Sequence, residues 1–152
     1  MKALKLYKII LKELKPFCKR IQIAGSIRRH EEHPEDIDIV LIPKDRIKLE
    51  GFVKERLDGK YLQGGEHEST WNIKGVQVEL YYTNEEEWGA ELLAYSSEKG
   101  AGIGLRIIAK RKGFKLTQHG LFNRETGEKI AGKTETEIYH ALGKRYKKPE
   151  NR

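Results

Sequence analysis

The sequence predicts an α+β fold in two lobes, and three observations carry that reading. The first 83 residues mix helix-period segments with short runs rich in β-branched residues. Two of those runs meet at a tight Lys74-Gly75 turn, so strand pairs occur in place of a strict βαβ alternation. After Thr83 the pattern becomes helical and basic with only minor strand character, which puts a boundary near residue 84 and predicts lobes at 1–83 and 84–152.

Each element follows from its own residues. Leu4, Tyr7, Ile10, Leu11 and Leu14 recur at helical spacing among lysines and predict an amphipathic helix that closes near Pro16. Lys19 to Ala24 alternate as a short strand ending at Gly25-Ser26. IDIVLI at 37–42 is a strand closed by Pro43, and 45–57 is a helix weakened by Gly51. Tyr61 to Gly65 is a strand and turn, and the hairpin arms run over 66–73 and 76–82. In the second lobe, Asn84 is expected to cap a helix whose first turn holds Glu85, Glu86 and Glu87, with Trp88, Leu92 and Tyr95 on one stripe. A basic helix over 103–112 stops at Gly113, and extended pieces at 114–117 and 120–123 flank a turn. Thr134, with Glu137 three residues on, opens a last helix through Leu142, and the basic tail is expected to pack through Tyr146.

Composition narrows the classes. The chain has 152 residues, 35% of them charged, and a formal net charge of +7, which favours a polyanionic partner. A single cysteine, Cys18, excludes an internal disulfide framework. No apolar run approaches the ~20 residues of a membrane span, and the charged N-terminus does not read as a signal peptide. The expectation is a soluble, intracellular, cytoplasmic protein with no membrane partner. Repeats and low-complexity linkers are absent.

The chemistry concentrates in carboxylates. Asp36 and Asp38 are two apart in a strand-like run, so they project to one face while Ile37, Ile39 and Leu41 point to the core. Adjacent carboxylates repel unless a shared cation or a proton resolves the conflict, and Mg²⁺ prefers one or two carboxylates plus water and phosphate oxygens. Glu79, flanked by core-facing Val78 and Leu80, shares its face with Gln77 and Tyr81. It converges on the aspartates if the two strands are neighbours, and three such acids can hold two metal ions for in-line phosphoryl displacement. Upstream, Gly25 permits close approach of backbone amides to a phosphate, Ser26 adds a hydroxyl donor, and Arg28 and Arg29 add fixed positive charge. His30 and His33 lack further zinc ligands at suitable spacing, and Trp71 and Trp88 read as packing residues.

GSIRR followed by DIDIV, then VQVEL, WGAELLAYSSEKG and LRIIAKRKGFKLTQHGLF, resembles the family X DNA polymerases related to DNA polymerase beta, within the nucleotidyltransferase superfamily. The likeness runs from about Leu14 to the end. It implies a nucleotidyltransferase palm at 1–83 with a mixed sheet and helices, and a helical and strand thumb lobe at 84–152. It further implies gap-filling transfer from a dNTP to a primer 3′-hydroxyl in DNA repair, by a monomer acting on primer–template or gapped DNA, with Mg²⁺ or alternatively Mn²⁺. By resemblance Asp36, Asp38 and Glu79 are the catalytic metal ligands, and Gly25, Ser26, Arg29 and Tyr95 bind the nucleotide. Arg106 faces the template strand; with Lys110, Arg111 and Lys112 it makes the DNA-binding surface. The chain departs from the family pattern in carrying Glu79 where the third acid is normally Asp, Ser96-Ser97-Glu98 where a Thr-Gly-Ser turn stands, and Gly102 at a usual Asn. Transfer to an RNA or protein acceptor, and a catalytically impaired nucleotide- or DNA-binding palm, stay open as alternatives.

Overall fold

The computed structural model describes residues 2–152, and the chain divides into two compact units, one ending at Thr83 and the other starting at Asn84. The first unit opens with α1 (Lys2–Leu14), whose buried stripe is Ala3, Leu6, Ile10 and Leu14. Pro16 ends it by heading a short 3₁₀ turn. There follow β1 (Cys18–Ala24), a single turn of helix α2 (Gly25–Arg28), β2 (Ile37–Pro43), α3 (Arg46–Glu55), β3 (Lys60–Gly64), β4 (Glu68–Ile73) and β5 (Val76–Tyr82). Asp45 caps α3, accepting a hydrogen bond from the Lys48 amide at 3.2 Å.

These strands form one mixed sheet in the order β1-β2-β5-β4-β3. β2 and β5 are parallel neighbours, and every other adjacent pair is antiparallel. One sheet face supplies Ile37, Ile39, Leu41, Val78 and Leu80 to a core completed by α1 and α3 through Ile10, Leu14, Leu49 and Val53. The β3–β4 turn is tied down by Arg46, which donates to the carbonyls of Gly65, Glu66 and Glu68 at 2.6, 2.7 and 3.2 Å and lies over the Tyr82 ring. Trp71 is 2% exposed and donates to Ser69 Oγ at 2.8 Å, so it is a packing residue as expected.

The second unit contains α4 (Trp88–Ser96), α5 (Lys99–Arg111), β6 (Phe114–Thr117), β7 (Gly120–Asn123), β8 (Lys129–Ala131) and α6 (Glu135–Ala141). Its strands form a three-stranded antiparallel sheet, β6-β7-β8. Leu93, Ala109, Leu121, Ile138 and Leu142 make the core. Thr134 caps α6 as expected, accepting from the Glu137 amide at 3.1 Å. Tyr146 packs edge-on against Tyr139, and the buried Arg152 guanidinium pairs with Glu135 at 2.7 Å.

Two expectations need correction. Asn84 caps a turn over 85–87 and not a helix: its Oδ1 accepts from the Glu87 amide at 3.0 Å, and α4 begins only at Trp88. The physical reason is tertiary. The first amides of α4 are met from elsewhere, Gly89 N by the Lys133 carbonyl at 3.1 Å and Ala90 N by the Gly132 carbonyl at 3.0 Å. The basic helix also begins four residues earlier than expected, at Lys99, despite its glycines.

The docking at Gly89 gives a stability prediction. A Cβ there would lie 2.3 Å from the Thr134 carbonyl carbon and 2.4 Å from its Cα, both backbone atoms. Gly89→Ala is expected to destabilise the protein by about 2–3 kcal/mol. The check is a lowered urea midpoint at unchanged slope.

Candidate active site

The parallel ladder between β2 and β5 sets Asp38 directly beside Glu79. Alternation along each strand then fixes what surrounds them. Ile37, Ile39, Val78 and Leu80 turn into the core, and Gln77, Glu79 and Tyr81 share the opposite face with Asp38. Gln77 Nε2 donates to Glu79 Oε1 at 3.1 Å. The Tyr81 hydroxyl makes a short hydrogen bond to Glu79 Oε2 and reaches Asp38 Oδ1 at 3.3 Å. Asp36 is exposed and sits one residue before the strand begins.

Electrostatics mark the trio as unusual. Burial, a hydrogen bond with Glu79 and the Glu79 charge push the Asp38 carboxyl up to about 7, against a small lowering from Tyr81. Asp36 is also raised, by burial first and then by the charges of Glu79 and Glu35. Two carboxylates this close share a proton when alone and titrate as a pair. A divalent cation would let both ionise, and an all-oxygen donor set suits Mg²⁺ or Mn²⁺. The donor chemistry of Asp36, Asp38 and Glu79 therefore fits such an ion.

Gly25 closes the site on the β1 side. It follows β1 at φ +62°, and a Cβ there would lie 2.2 Å from Asp38 Oδ2. Only a glycine lets the backbone turn beside the aspartate at that distance. Ser26 follows on α2, partly buried. The Arg29 side chain is mostly buried and is held by a short ion pair with Glu31; its Nε is buried with no partner among the described residues.

The other sequence-predicted residues lie in the second unit. Tyr95 donates its hydroxyl to Gln118 Oε1 at 3.1 Å. Tyr95, Gln118, Gly102 and Arg106 line a cavity of about 310 Å³ within that unit. Arg106, Lys110, Arg111 and Lys112 are all exposed, with Arg106 and Lys110 one turn apart on α5.

Sequence reasoning missed three participants. Tyr81 was legible only as sharing a face with Glu79. Gln118 is 23 residues from Tyr95, and local periodicity carries no sign of that pairing. His119 and Glu87, 32 residues apart, form a short contact, and their ligand atoms lie with that of Glu91 within 4.8 Å of one another. Burial raises the Glu87 carboxyl, but hydrogen bonds from His119 and Asn84 and the charges of His119 and Lys129 outweigh it and hold the group below its ordinary value.

The DNA polymerase beta thumb family model matches residues 91–152. The chain is 29% identical over 148 residues to the repair DNA polymerase X of a Kenyan pig isolate of African swine fever virus, an alignment spanning 91% of this chain and 84% of that protein. It is 30% identical over 151 residues to the repair DNA polymerase X of a South African tick isolate, with the same coverage. A match of 26% identity over 147 residues to the DNA polymerase/3′-5′ exonuclease PolX of Bacillus subtilis spans 93% of this chain and 26% of that protein. No helix among the described residues is long and apolar enough to cross a membrane.

Proposed function

The chain belongs to the family X DNA polymerases, and from that premise we propose that it joins a dNTP to a primer 3′-hydroxyl on gapped DNA in repair. We assign residues 1–83 to the palm and 84–152 to the thumb. The observation that carries the reading is the Asp38–Glu79 pair, set side by side by a parallel ladder with Asp36 just ahead of it.

Asp36, Asp38 and Glu79 supply the oxygen ligands for a divalent ion. The chemistry such an ion contributes when bound is neutralisation of triphosphate charge and acidification of the attacking hydroxyl. The protein's own work is positioning, the main source of rate in phosphoryl transfer. Tyr81 and Gln77 fix the Glu79 carboxylate, so the acid keeps one rotamer as substrate arrives. Gly25 leaves Asp38 room to present Oδ2. Ser26 offers a hydroxyl and Arg29 a guanidinium to the triphosphate, with Glu31 holding the arginine in place. Tyr95, braced by Gln118, contacts the nucleotide in the thumb cavity. Arg106, Lys110, Arg111 and Lys112 bind DNA phosphates, which gives affinity without sequence preference.

The test is primer extension on a duplex with a short gap, in Mg²⁺ or Mn²⁺. Incorporation of the template-complementary nucleotide is expected. Bound dNTP without any incorporation would overturn the polymerase reading and turn attention to another acceptor.

A further inference from the structure

We propose that Glu87, Glu91 and His119 form a zinc site within the second unit, separate from the acids of the first. Two carboxylate oxygens and one imidazole nitrogen come from two elements, the start of α4 and the β6–β7 turn, and all three lie within 4.8 Å of one another. Ligand bonds of about 2.0–2.2 Å place donor atoms of a tetrahedral site roughly 3.5 Å apart, so small side-chain rotations complete the triad and leave a fourth position for water. Glu87 and Glu91 are one helical turn apart and so present to the same side.

The outer partners are those of a built site. Asn84 Nδ2 donates to Glu87 Oε2 at 3.1 Å, which aims Oε1 at His119. The His119 amide is fixed by Thr117 Oγ1 at 3.1 Å. Glu91 is 2% exposed, and a carboxylate so deep beside a second one needs positive charge close by. Lys129 adds charge near Glu87, but its ammonium is bonded to the Glu86 carbonyl at 2.7 Å. Two carboxylates and a neutral imidazole match a dication in charge, and the imidazole selects zinc over magnesium or calcium. The ion would fasten the β6–β7 turn to α4. Gln118, the partner of Tyr95, stands in that same turn.

The experiment titrates Zn²⁺ alone into the intact chain against a chromophoric chelator, in an Asp38→Asn background that disables the first-unit acids. One equivalent is expected to bind, with a rise in melting temperature. His119→Ala and Glu91→Gln should each weaken binding by about tenfold or more. Because the His119 side chain is 41% exposed, its variant remains folded and keeps the test decisive if Glu91→Gln does not. Failure to bind Zn²⁺ in excess over protein, or a loss of less than about threefold in His119→Ala, overturns the proposal.

Discussion

Asp38→Asn is expected to abolish nucleotidyl transfer while making the protein more stable at neutral pH. The two effects share one cause. Asp38 stands beside Glu79 in the parallel ladder, mostly removed from water, with its carboxyl pushed up to about 7. The amide keeps the shape and can still bond Tyr81 and Glu79, but it carries no charge for a cation. A rate loss of about 10³-fold or more is expected, the scale on which a single charged group acts in phosphoryl transfer. Stability moves the other way. In the unfolded chain the carboxyl ionises near 3.8, so between about pH 4 and pH 7 the folded state holds a proton that the unfolded state has lost. Stability therefore falls as pH rises through that window and levels off above it. The difference corresponds to at most about 4 kcal/mol, shared with Glu79 because the pair titrates together. Urea midpoints at pH 4.5 and pH 8 are the measurement. Wild type should lose stability between them and recover it with Mg²⁺, and Asp38→Asn should do neither. A variant with the wild-type pH slope would show that Asp38 is not the strained acid.

The chain shows why such a site is half legible in advance. Alternation within IDIVLI and VQVELYY is local, and it places the acids on one face and the aliphatics on the other in sequence as in structure. That Asp38 meets Glu79 is not local. It depends on β2 and β5 pairing in parallel across α3, β3 and β4, and no periodicity encodes that strand order. Capping signals divide in the same way. Thr134 behaves as its side chain demands, because nothing else competes for the Glu137 amide. Asn84 has equally good chemistry but closes a turn, since α4 draws its hydrogen-bond partners from Gly132 and Lys133. β8 has three residues, too few for a period to declare itself. The His119–Glu87 contact and the Tyr95–Gln118 bond arise from the fold of the second unit, so only coordinates reveal them.

Gly25→Ala should be as damaging to transfer as loss of an acid, although it removes no functional group. At φ +62° an L side chain is strained, and the new Cβ would stand 2.2 Å from Asp38 Oδ2, 2.9 Å from Cγ and 3.0 Å from Cβ. The aspartate cannot yield freely, because Glu79 and Tyr81 hold its other side and the β2–β5 ladder holds its backbone. Either the carboxylate rotates away or the β1–α2 turn opens, and each separates the acids from Ser26 and Arg29. A misplacement of about 1 Å costs about 10²-fold in a reaction run on positioning, so a fall of that size or more in kcat/KM is expected. Stability should drop by roughly 1–3 kcal/mol. Gly51→Ala is the matched control: it lies inside α3 with open space at its Cβ, and it should raise stability by about 0.5–1 kcal/mol and leave transfer unchanged. If Gly25→Ala kept wild-type turnover, the close approach of backbone to Asp38 would have no part in catalysis. The glycine of GSIRR would then serve the turn alone, and the triphosphate would have to be held by Ser26 and Arg29 without it.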